Sequence, residues 1–399
     1  MFGKSKFAFA LLLALSAPAF AADTPGVTAT EIKIGGVFPF SGPASSIGLV
    51  GKGVLAYVQS INDRGGINGR KINYIAMDDA YSPPKSVEHI RRLVDGDEVS
   101  FIFSQLGTAG NTATAKYLAV KGVPSIAIVS GSSKFTNVQD YPLMTTGLVS
   151  YDVEGQIYAK YLSRTVPTGK YAILYQNDDL GKDYVNAFRT FLKNDFDRRV
   201  VTAAYEVTEP TVDSQVVNLK SSGAEAFFIA GTPKFAAQAI RKAAEIGWKP
   251  TVIIDFPSSS IAGTLKPAGL DNSKDIITAA YLKDPTDPQW ESAPDFIEWK
   301  TWMGKYMPGA NMSDASYVYA YAVSATMRHV LTQCGDLLTR ENLMKQAASM
   351  RELVVPLLLP GIKINTGPTD FYPIQAVRLA RFNGETWALF GDVLASESS

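Results

Sequence analysis

Short apolar runs alternate with helix-like segments along this 399-residue chain, and the alternation limits the folds open to it. The runs are apolar at nearly every position, which is typical of strands that a parallel sheet buries on both faces. Parallel strands need a crossover between them, and the intervening segments have helical spacing. The pattern predicts a doubly wound α/β fold, with strands at Ile32–Phe38, Lys71–Met77, Phe101–Phe103, Ser125–Val129, Tyr171–Tyr175, Val200–Val207, Ala226–Ile229, Val252–Asp255 and Ile276–Tyr281.

The alternation occurs in two blocks, residues 31–135 and residues 150–275. A single hydrophobic core stops growing at roughly 250–300 residues, so we expect two lobes. The default ligand site of such a protein is the cleft between the lobes. After the second block the chain continues with aromatic-rich helices and two closing β segments, over Ser316–Thr332, Arg340–Met350, Ile374–Phe382 and Trp387–Val393.

The N-terminal segment, residues 1–21, has the pattern of a secretory signal peptide. Lys4 and Lys6 precede the apolar run Phe7–Leu15, and Ala19-Phe20-Ala21 offers the small side chains that signal peptidase requires. The run is too short to cross about 30 Å of hydrocarbon. We expect cleavage after Ala21 and a protein in the periplasm, without a lipid anchor because no cysteine begins the mature chain. The alternative is a buried N-terminal helix.

The composition argues against several classes of protein. The chain has 38 basic and 38 acidic residues, and this balance argues against a nucleic-acid partner, which needs a basic surface. Cys334 is the only cysteine, so an internal disulfide or a multi-cysteine zinc site is excluded. It lies in an apolar helical stretch and is expected to be a buried, inert thiol.

Catalytic motifs are missing from the sequence. The two histidines, His89 and His329, have no candidate nucleophile beside them. The chain has no GxSxG, HExxH or GxxxxGK[ST] pattern. We therefore expect a binding protein without catalytic residues, cofactor or metal, rather than an enzyme.

Loops rich in glycine and hydroxyl groups follow three predicted strands of the first block, over residues 41–48, 104–111 and 130–133. In open α/β sheets, ligands bind beyond the carboxyl ends of the strands, where helix N-termini present unpaired N–H groups. Hydroxyl and backbone donors can hold a carboxylate there without a cationic side chain. The alternative is that these residues only cap helices; three such loops at matching strand ends favour a carboxylate site.

Acidic residues follow two strands of the second block. Asp178 lies in the loop after the first of them, and Asp255 ends the apolar run Val252–Ile254. Their carboxylates could accept hydrogen bonds from a ligand ammonium or hydroxyl group. Each could equally cap the helix that follows it.

Several motifs occur in the order found in one known family. Ile32-Lys33-Ile34-Gly35-Gly36 leads into Ser41-Gly42-Pro43, and Ile61–Arg70 reads IN-x-x-GGI-x-G. Asp78-Asp79 precedes a proline, and Gly247-Trp248-Lys249-Pro250 ends a later helix. Over residues 30–390 the chain thereby resembles the type I periplasmic solute-binding proteins of the branched-chain amino acid (Leu/Ile/Val-binding) family of ABC importers.

The resemblance implies two Rossmann-like lobes joined by three hinge crossovers, near Gly147, Ala279 and Phe371. It implies a monomer that closes around a small carboxylate-bearing ligand and delivers it to a membrane ABC permease. The implied N-terminal lobe comprises residues 22–147 and 280–370, and the implied C-terminal lobe comprises residues 148–279 and 371–399.

The resemblance also implies a set of ligand-binding residues. Ile47 takes the position where relatives have an aromatic ring over the ligand, and Phe256 and Tyr281 are expected to border its apolar part. The ligand's carboxylate is expected at the loops after the third and fourth strands, which comprise Leu106, Gly107, Thr108, Val129, Ser130, Gly131 and Ser132.

One departure from the family bears on the ligand. Relatives that bind α-amino acids present an acidic residue to the ammonium soon after the strand that ends at Asp255, and here the chain continues Phe-Pro-Ser-Ser-Ser. Asp178 or Asp255 could take this role, so that the ligand is a branched-chain, aliphatic or aromatic amino acid. Otherwise the ligand is an aromatic or other nitrogen-free carboxylic acid. A ligand-sensing receptor module and a secreted enzyme are the remaining alternatives.

Overall fold

Two β-sheets and their flanking helices form the fold in the computed structural model, which describes residues 24–395. The predicted signal segment lies outside this range. The first sheet has five parallel strands in the order β2-β1-β3-β4-β5. These strands are β1 Glu31–Phe38, β2 Lys71–Asp78, β3 Phe101–Phe103, β4 Ser125–Ile128 and β5 Met144–Thr146.

The second sheet has seven strands in the order β12-β11-β10-β9-β8-β6-β7. The strands from the second block pair in parallel, whereas the two C-terminal strands form an antiparallel edge next to β10. The strands are β6 Tyr171–Gln176, β7 Val200–Tyr205, β8 Ala226–Ala230, β9 Thr251–Ile254, β10 Ile277–Ala280, β11 Ala376–Phe382 and β12 Trp387–Ala395.

Helices connect the strands and cover both faces of each sheet. They are α1 Leu49–Asp63, α2 Pro83–Arg91, α3 Thr108–Lys121, α4 Tyr151–Thr165, α5 Asp179–Leu192, α6 Phe196–Arg199, α7 Asp213–Ser221, α8 Pro233–Glu245, α9 Lys266–Ala268, α10 Leu270–Ser273, α11 Pro294–Tyr306, α12 Ala315–Cys334 and α13 Arg340–Ala347. Among the helices of residues 24–395, none has both the length and the apolar character that a membrane crossing requires.

The α/β architecture expected from the alternating pattern is confirmed. Strand β8 is buried at all five positions, as expected for a central parallel strand with helices on both faces. The boundaries differ where local signals are weak: β5 was not predicted, because its sequence Met-Thr-Thr is not an apolar run. Cys334 is buried at the end of α12, as expected.

The chain crosses between the two sheets three times: after β5, after β10 and before β11. Two of these segments lie side by side, where Val149 bridges to Ile374 and the Thr146 hydroxyl donates to the carbonyl of Phe371 at 3.2 Å. The long C-terminal segment between β10 and β11 returns to the first sheet, because α12 packs on α1. Gly53 allows this contact, since a Cβ there would lie 2.5 Å from the Cβ of Ala320. The predicted lobe boundaries, residue by residue, stay a prediction.

Candidate functional site

A cavity of about 80 Å³ lies where the two sheets face each other. In a doubly wound sheet the carboxyl ends of the strands and the N-termini of the following helices share one edge, so both lobes direct helix N-termini at the cavity. The side of the five-stranded sheet contributes Ile47, Val50, Tyr81, Leu106, Gly107, Thr108, Val129, Ala315, Ser316 and Tyr319. The other side and the first crossover contribute Leu148, Tyr151, Leu180, Thr232, Phe256, Pro257, Ser259 and Ser260.

The start of α3 forms one corner of this cavity. The pairing of β3 and β4 is extended by a bridge between Leu106 and Val129, which brings the two loops together. Gly107 then turns the chain into the helix with φ 106°, a conformation that favours glycine. A Cβ at this position would also lie 2.9 Å from the Tyr81 ring. The sequence therefore needs glycine here in order to present the first N–H groups of α3 to the cavity.

The hydroxyl groups of Thr108, Ser130 and Tyr151 meet at this corner. The Oγ1 of Thr108 and the Oγ of Ser130 lie 2.8 Å apart, and the N–H of Ser132 donates to the same Ser130 oxygen at 3.2 Å. Tyr151 begins α4 beside them: burial raises the pKa of its hydroxyl, while hydrogen bonding to the Gly131 backbone and to the two hydroxyls opposes the rise. This cluster can donate several hydrogen bonds to one anionic group.

Two helix N-termini direct partial positive charge at the cavity. Helix α3 begins after Gly107 and α8 begins after Thr232, and neither residue caps its helix with a side-chain hydrogen bond. Their first N–H groups therefore keep their partial positive charge. Among the residues that the structure describes, no Asp, Glu, Lys or Arg side chain lines the cavity. A buried anion would thus meet dipoles and hydroxyls rather than an ion pair.

Asp178 and Asp255 lie near the cavity but do not line it. Asp178 caps α5, where its Oδ1 accepts from the N–H of Leu180 at 3.0 Å. Asp255 is fully buried; its Oδ2 accepts from the Gly231 N–H at 2.8 Å and its Oδ1 from the Ser258 N–H at 3.2 Å. Burial raises the pKa of both carboxyl groups. In this structure both aspartates act as caps, which was the second of the two roles considered from the sequence.

Another buried carboxyl group, which sequence reasoning did not identify, holds the cavity wall. Glu154 on α4 accepts hydrogen bonds from the hydroxyls of Tyr158 at 2.5 Å and Tyr184 at 2.7 Å, and from the N–H of Phe256 at 2.7 Å. Burial raises the pKa of Glu154 to about 7. This side chain ties the loop after β9 to α4.

Ile47 and Phe256 form part of the apolar wall of the cavity, together with Val50, Leu106, Val129, Leu148 and Leu180. The Phe256 ring packs on Tyr281, with 4.5 Å between centroids and an interplanar angle of 37°. Tyr281 is 2% exposed and lies behind Phe256, so it supports the wall without lining the cavity.

The two sides also meet directly, outside the cavity. Asp179 at the start of α5 accepts from Lys134 Nζ at 2.7 Å and from the Thr112 hydroxyl at 3.2 Å, both on the side of the first sheet. Asp183, one turn later, accepts from the backbone N–H of Ser133 at 2.8 Å. These contacts hold the sides together over the start of α5.

The structure thus brings together half of the residues predicted for the ligand site. The residues that line the cavity are Ile47, Leu106, Gly107, Thr108, Val129 and Phe256. Directly behind its hydroxyl corner lie Ser130, Gly131 and Ser132. In the layer behind its wall lie Asp178, Asp255 and Tyr281. The main omission was Tyr151. Its signal in the sequence was a tyrosine just after the capping residue Ser150, at the first crossover. No group of three or more potential metal ligands occurs within residues 24–395.

Comparison with known proteins places this architecture in a family. The family model described as periplasmic binding protein matches residues 31–386. The Leu/Ile/Val-binding protein of Escherichia coli is 26% identical over 350 residues, covering 82% of this chain and 90% of that protein. Leu/Ile/Val-binding protein homolog 7 of Brucella abortus is 26% identical over 288 residues, covering 69% of this chain and 70% of the relative.

Solved structures share the fold at low sequence identity. A branched-chain amino acid ABC transporter protein from Thermus thermophilus with bound valine superposes with a TM-score of 0.81 at 15% identity, covering 92% of this chain and 97% of that one. A fatty acid ABC transporter substrate-binding protein from Thermomonospora curvata gives 0.77 at 19% identity, with 95% and 96% covered.

A solute-binding protein from R. palustris in complex with 4-hydroxybenzoate gives a TM-score of 0.76 at 16% identity, covering 92% of this chain and 98% of that one. The family model spans most of the chain, and the two-sheet architecture agrees with it. The chain belongs to the periplasmic binding protein family, whose members bind solutes for ABC transporters.

Proposed function

We propose that this protein is the periplasmic solute-binding component of an ABC importer, and that it captures a small carboxylic acid that lacks an α-amino group. The observation that carries the proposal is the composition of the cavity: two helix N-termini, neutral hydroxyl groups and apolar side chains, and no charged side chain among the described lining residues.

The hydroxyl corner supports an anionic group as the ligand's polar end. Thr108 and Tyr151 supply hydroxyls at the cavity, Ser130 is hydrogen-bonded to Thr108 from behind, and the first turn of α3 supplies backbone N–H groups. Hydrogen bonds to a charged acceptor are stronger than neutral ones, so a carboxylate can be held without an arginine.

The absence of a lining carboxylate argues against an ammonium group. A buried ammonium needs a charged or hydrogen-bonding partner, because its desolvation is costly. Asp255 has each oxygen engaged by a backbone N–H, and Asp178 accepts from α5 and from the Gln176 amide at 2.7 Å. Both aspartates would have to leave these contacts to meet a ligand.

An α-amino acid is the second candidate. The names of the curated relatives favour it, since both are described as Leu/Ile/Val-binding proteins or their homologues. Proteins of the same fold are described with valine, with 4-hydroxybenzoate and with fatty acids, so this fold accommodates acids with and without the amino group.

Capture would follow from closure of the two lobes, with residues 22–147 and 280–370 as one lobe and residues 148–279 and 371–399 as the other. The ligand would contact both lobes and so stabilise the closed state over the open one. The ion pair between Lys134 and Asp179 would form on closure. In this proposal the protein acts as a monomer, passes its ligand unchanged to a membrane permease and performs no catalysis.

Matched pairs of ligands test the proposal. Leucine is compared with 4-methylpentanoate and phenylalanine with 3-phenylpropanoate, since each pair differs only in the α-amino group. We expect the amine-free acids to raise the thermal midpoint and give the lower Kd by calorimetry; at 100 times Kd the stabilisation is about 2.7 kcal/mol. If the protein binds leucine or phenylalanine but neither amine-free acid, the ligand is an α-amino acid, which is the second candidate. Mass spectrometry of the released ligand would detect any turnover.

A further inference from the structure

A second apolar cavity lies next to the ligand cavity, and the two share part of their walls. Phe256, Ser259 and Ala315 line both. The second cavity has a volume of about 50 Å³. We call it the tail compartment. Its apolar lining comprises Leu282, Val318, Leu359, Trp387 and Leu389.

The tail compartment lies between the two lobes, as the ligand cavity does. Val318 belongs to α12, which packs on the side of the first sheet, whereas Trp387 and Leu389 belong to β12 of the second sheet. Its three charged lining residues already have partners. Lys283 Nζ contacts Asp295 at 2.7 Å, Asp284 accepts from the Trp387 N–H at 3.1 Å, and Asp287 accepts from the Gln289 N–H at 3.0 Å. An apolar group that entered this space would therefore bury its surface without leaving a new charge unpaired.

The Phe256 ring stands between the two cavities, and its backbone is held on both sides. Its N–H donates to Glu154, and the ring packs on Tyr281. Farther along the same turn, the carbonyl of Ser259 accepts from the Trp387 Nε1 at 2.8 Å. Phe256 is the largest of the three residues that line both cavities, and its turn is anchored at both ends, so its ring is the side chain best placed to separate them.

We propose that Phe256 sets the length of the carboxylic acid that this protein accepts, because its ring closes the ligand cavity off from a compartment that can hold a longer apolar tail. This inference rests on the proposed carboxylate site at Thr108 and Ser130. With phenylalanine at position 256 the protein selects short acids. With a small residue there, the tail compartment becomes part of the binding site.

The expected size of the effect follows from apolar burial. Each methylene transferred from water to an apolar site lowers Kd by about fourfold. In the wild type, Kd should stop decreasing once the tail reaches Phe256. In the Phe256→Ala variant, Kd should continue to decrease for at least two further methylenes. An acid that is two methylenes longer than the wild-type limit should therefore bind this variant with a Kd about 16-fold lower than that of the acid at the limit.

The experiment measures Kd by calorimetry for unbranched acids from butanoate to dodecanoate, with the wild type, Phe256→Ala and Phe256→Leu. Phe256→Leu keeps an apolar side chain and serves if the alanine variant unfolds; it should lengthen the accepted acid by less. Phe390→Ala is the matched control, because that ring packs on Tyr161, 6.0 Å between centroids, away from both cavities. Adding Leu389→Phe to Phe256→Ala should fill the tail compartment and remove the gain for long acids.

Two results would overturn the inference: an unchanged optimum length in both Phe256 variants, or an equal loss of affinity for acids of every length. Failure of the proposed function has a different signature, because the wild type would then bind no acid of any length. If the wild type binds α-amino acids instead, the same length series is run with unbranched 2-amino acids, and the expected shift is the same.

Discussion

The side-chain hydroxyls of Thr108 and Ser130 lie 2.8 Å apart, although 22 positions separate them in the chain. Thr108 begins α3 after β3, and Ser130 follows β4, the neighbouring strand of the same sheet. Parallel neighbours end at one edge, so two loops that are distant in sequence join there into one donor cluster.

Replacing Thr108 by valine should weaken binding of the carboxylate ligand. Valine preserves the branched shape but removes the hydroxyl, and a hydrogen bond to a charged group contributes about 1.5–3 kcal/mol. We expect Kd to rise by about 10- to 100-fold in calorimetry. Thr301→Val is the control, because that hydroxyl on α11 donates only to the carbonyl of Ile297.

The Ser130→Ala variant should show a loss that is not additive with that of Thr108→Val, since the two hydroxyls are hydrogen-bonded to each other. An unchanged Kd in both single variants would remove this corner from the ligand site.

Replacing Asp255 by asparagine should reduce stability and leave ligand selectivity unchanged. Asparagine offers one acceptor oxygen where the carboxyl group accepts from both Gly231 and Ser258, so one of these two buried hydrogen bonds is lost and the asparagine NH2 faces a backbone N–H. The expected loss is about 1–3 kcal/mol in urea unfolding. The ratio of Kd for 4-methylpentanoate and leucine should stay as in the wild type; a selective loss of leucine binding would instead assign Asp255 to an ammonium group.

Stability should depend on pH through Glu154. Its folded pKa of about 7 exceeds the ordinary value of about 4.3, so between these pH values the folded state holds a proton that the unfolded state lacks. The unfolding free energy therefore falls as pH rises from about 4.5 to 7, by roughly 3 kcal/mol from this group.

The Glu154→Gln variant tests this dependence, because glutamine stays neutral and can still accept from Tyr158 and Phe256. Urea unfolding at pH 5 and pH 7.5 should show a smaller decrease for the variant than for the wild type. Equal decreases in the two proteins would contradict a raised pKa at this position.

A methyl group at Gly131 should be strongly destabilising. A Cβ there would lie 2.0 Å from the carbonyl oxygen of Val149 and 2.8 Å from the Tyr151 ring, at the first crossover. We expect Gly131→Ala to lower the unfolding free energy by more than about 2 kcal/mol. Gly304→Ala is the matched control: this helical position has no atom within 4 Å of the added Cβ, and alanine should stabilise it by about 1 kcal/mol.

The ion pair between the lobes should contribute modestly to closure. Lys134→Met removes the partner of Asp179 across the interface. Both groups are partly exposed, so the expected effect is below about 1 kcal/mol, or up to about fivefold in ligand Kd. Small-angle scattering of the ligand-free variant should give a larger radius of gyration than the wild type. Lys363→Met, which breaks an exposed ion pair with Glu352 of the same predicted lobe, should change neither quantity.

Local patterns in the sequence were sufficient for most of the strands and for the loops that line the cavity. Continuous apolar runs such as Phe101–Phe103 identify buried strands because a parallel sheet excludes water from both faces. Gly107 and Thr108 were recognisable because a helix that follows a strand needs a turn and presents N–H groups at its start.

The tertiary structure alone decided which side chains face the cavity and which pack behind it. Asp255 follows a strand, as a ligand-binding residue could, but its carboxyl group turns to the N–H groups of Gly231 and Ser258. Tyr151 reaches the hydroxyl corner only because the chain crosses between the lobes just before it. Sequence determined the elements because hydrophobic periodicity is local; the orientation of polar groups depends on partners far away in the chain, which only folding brings together.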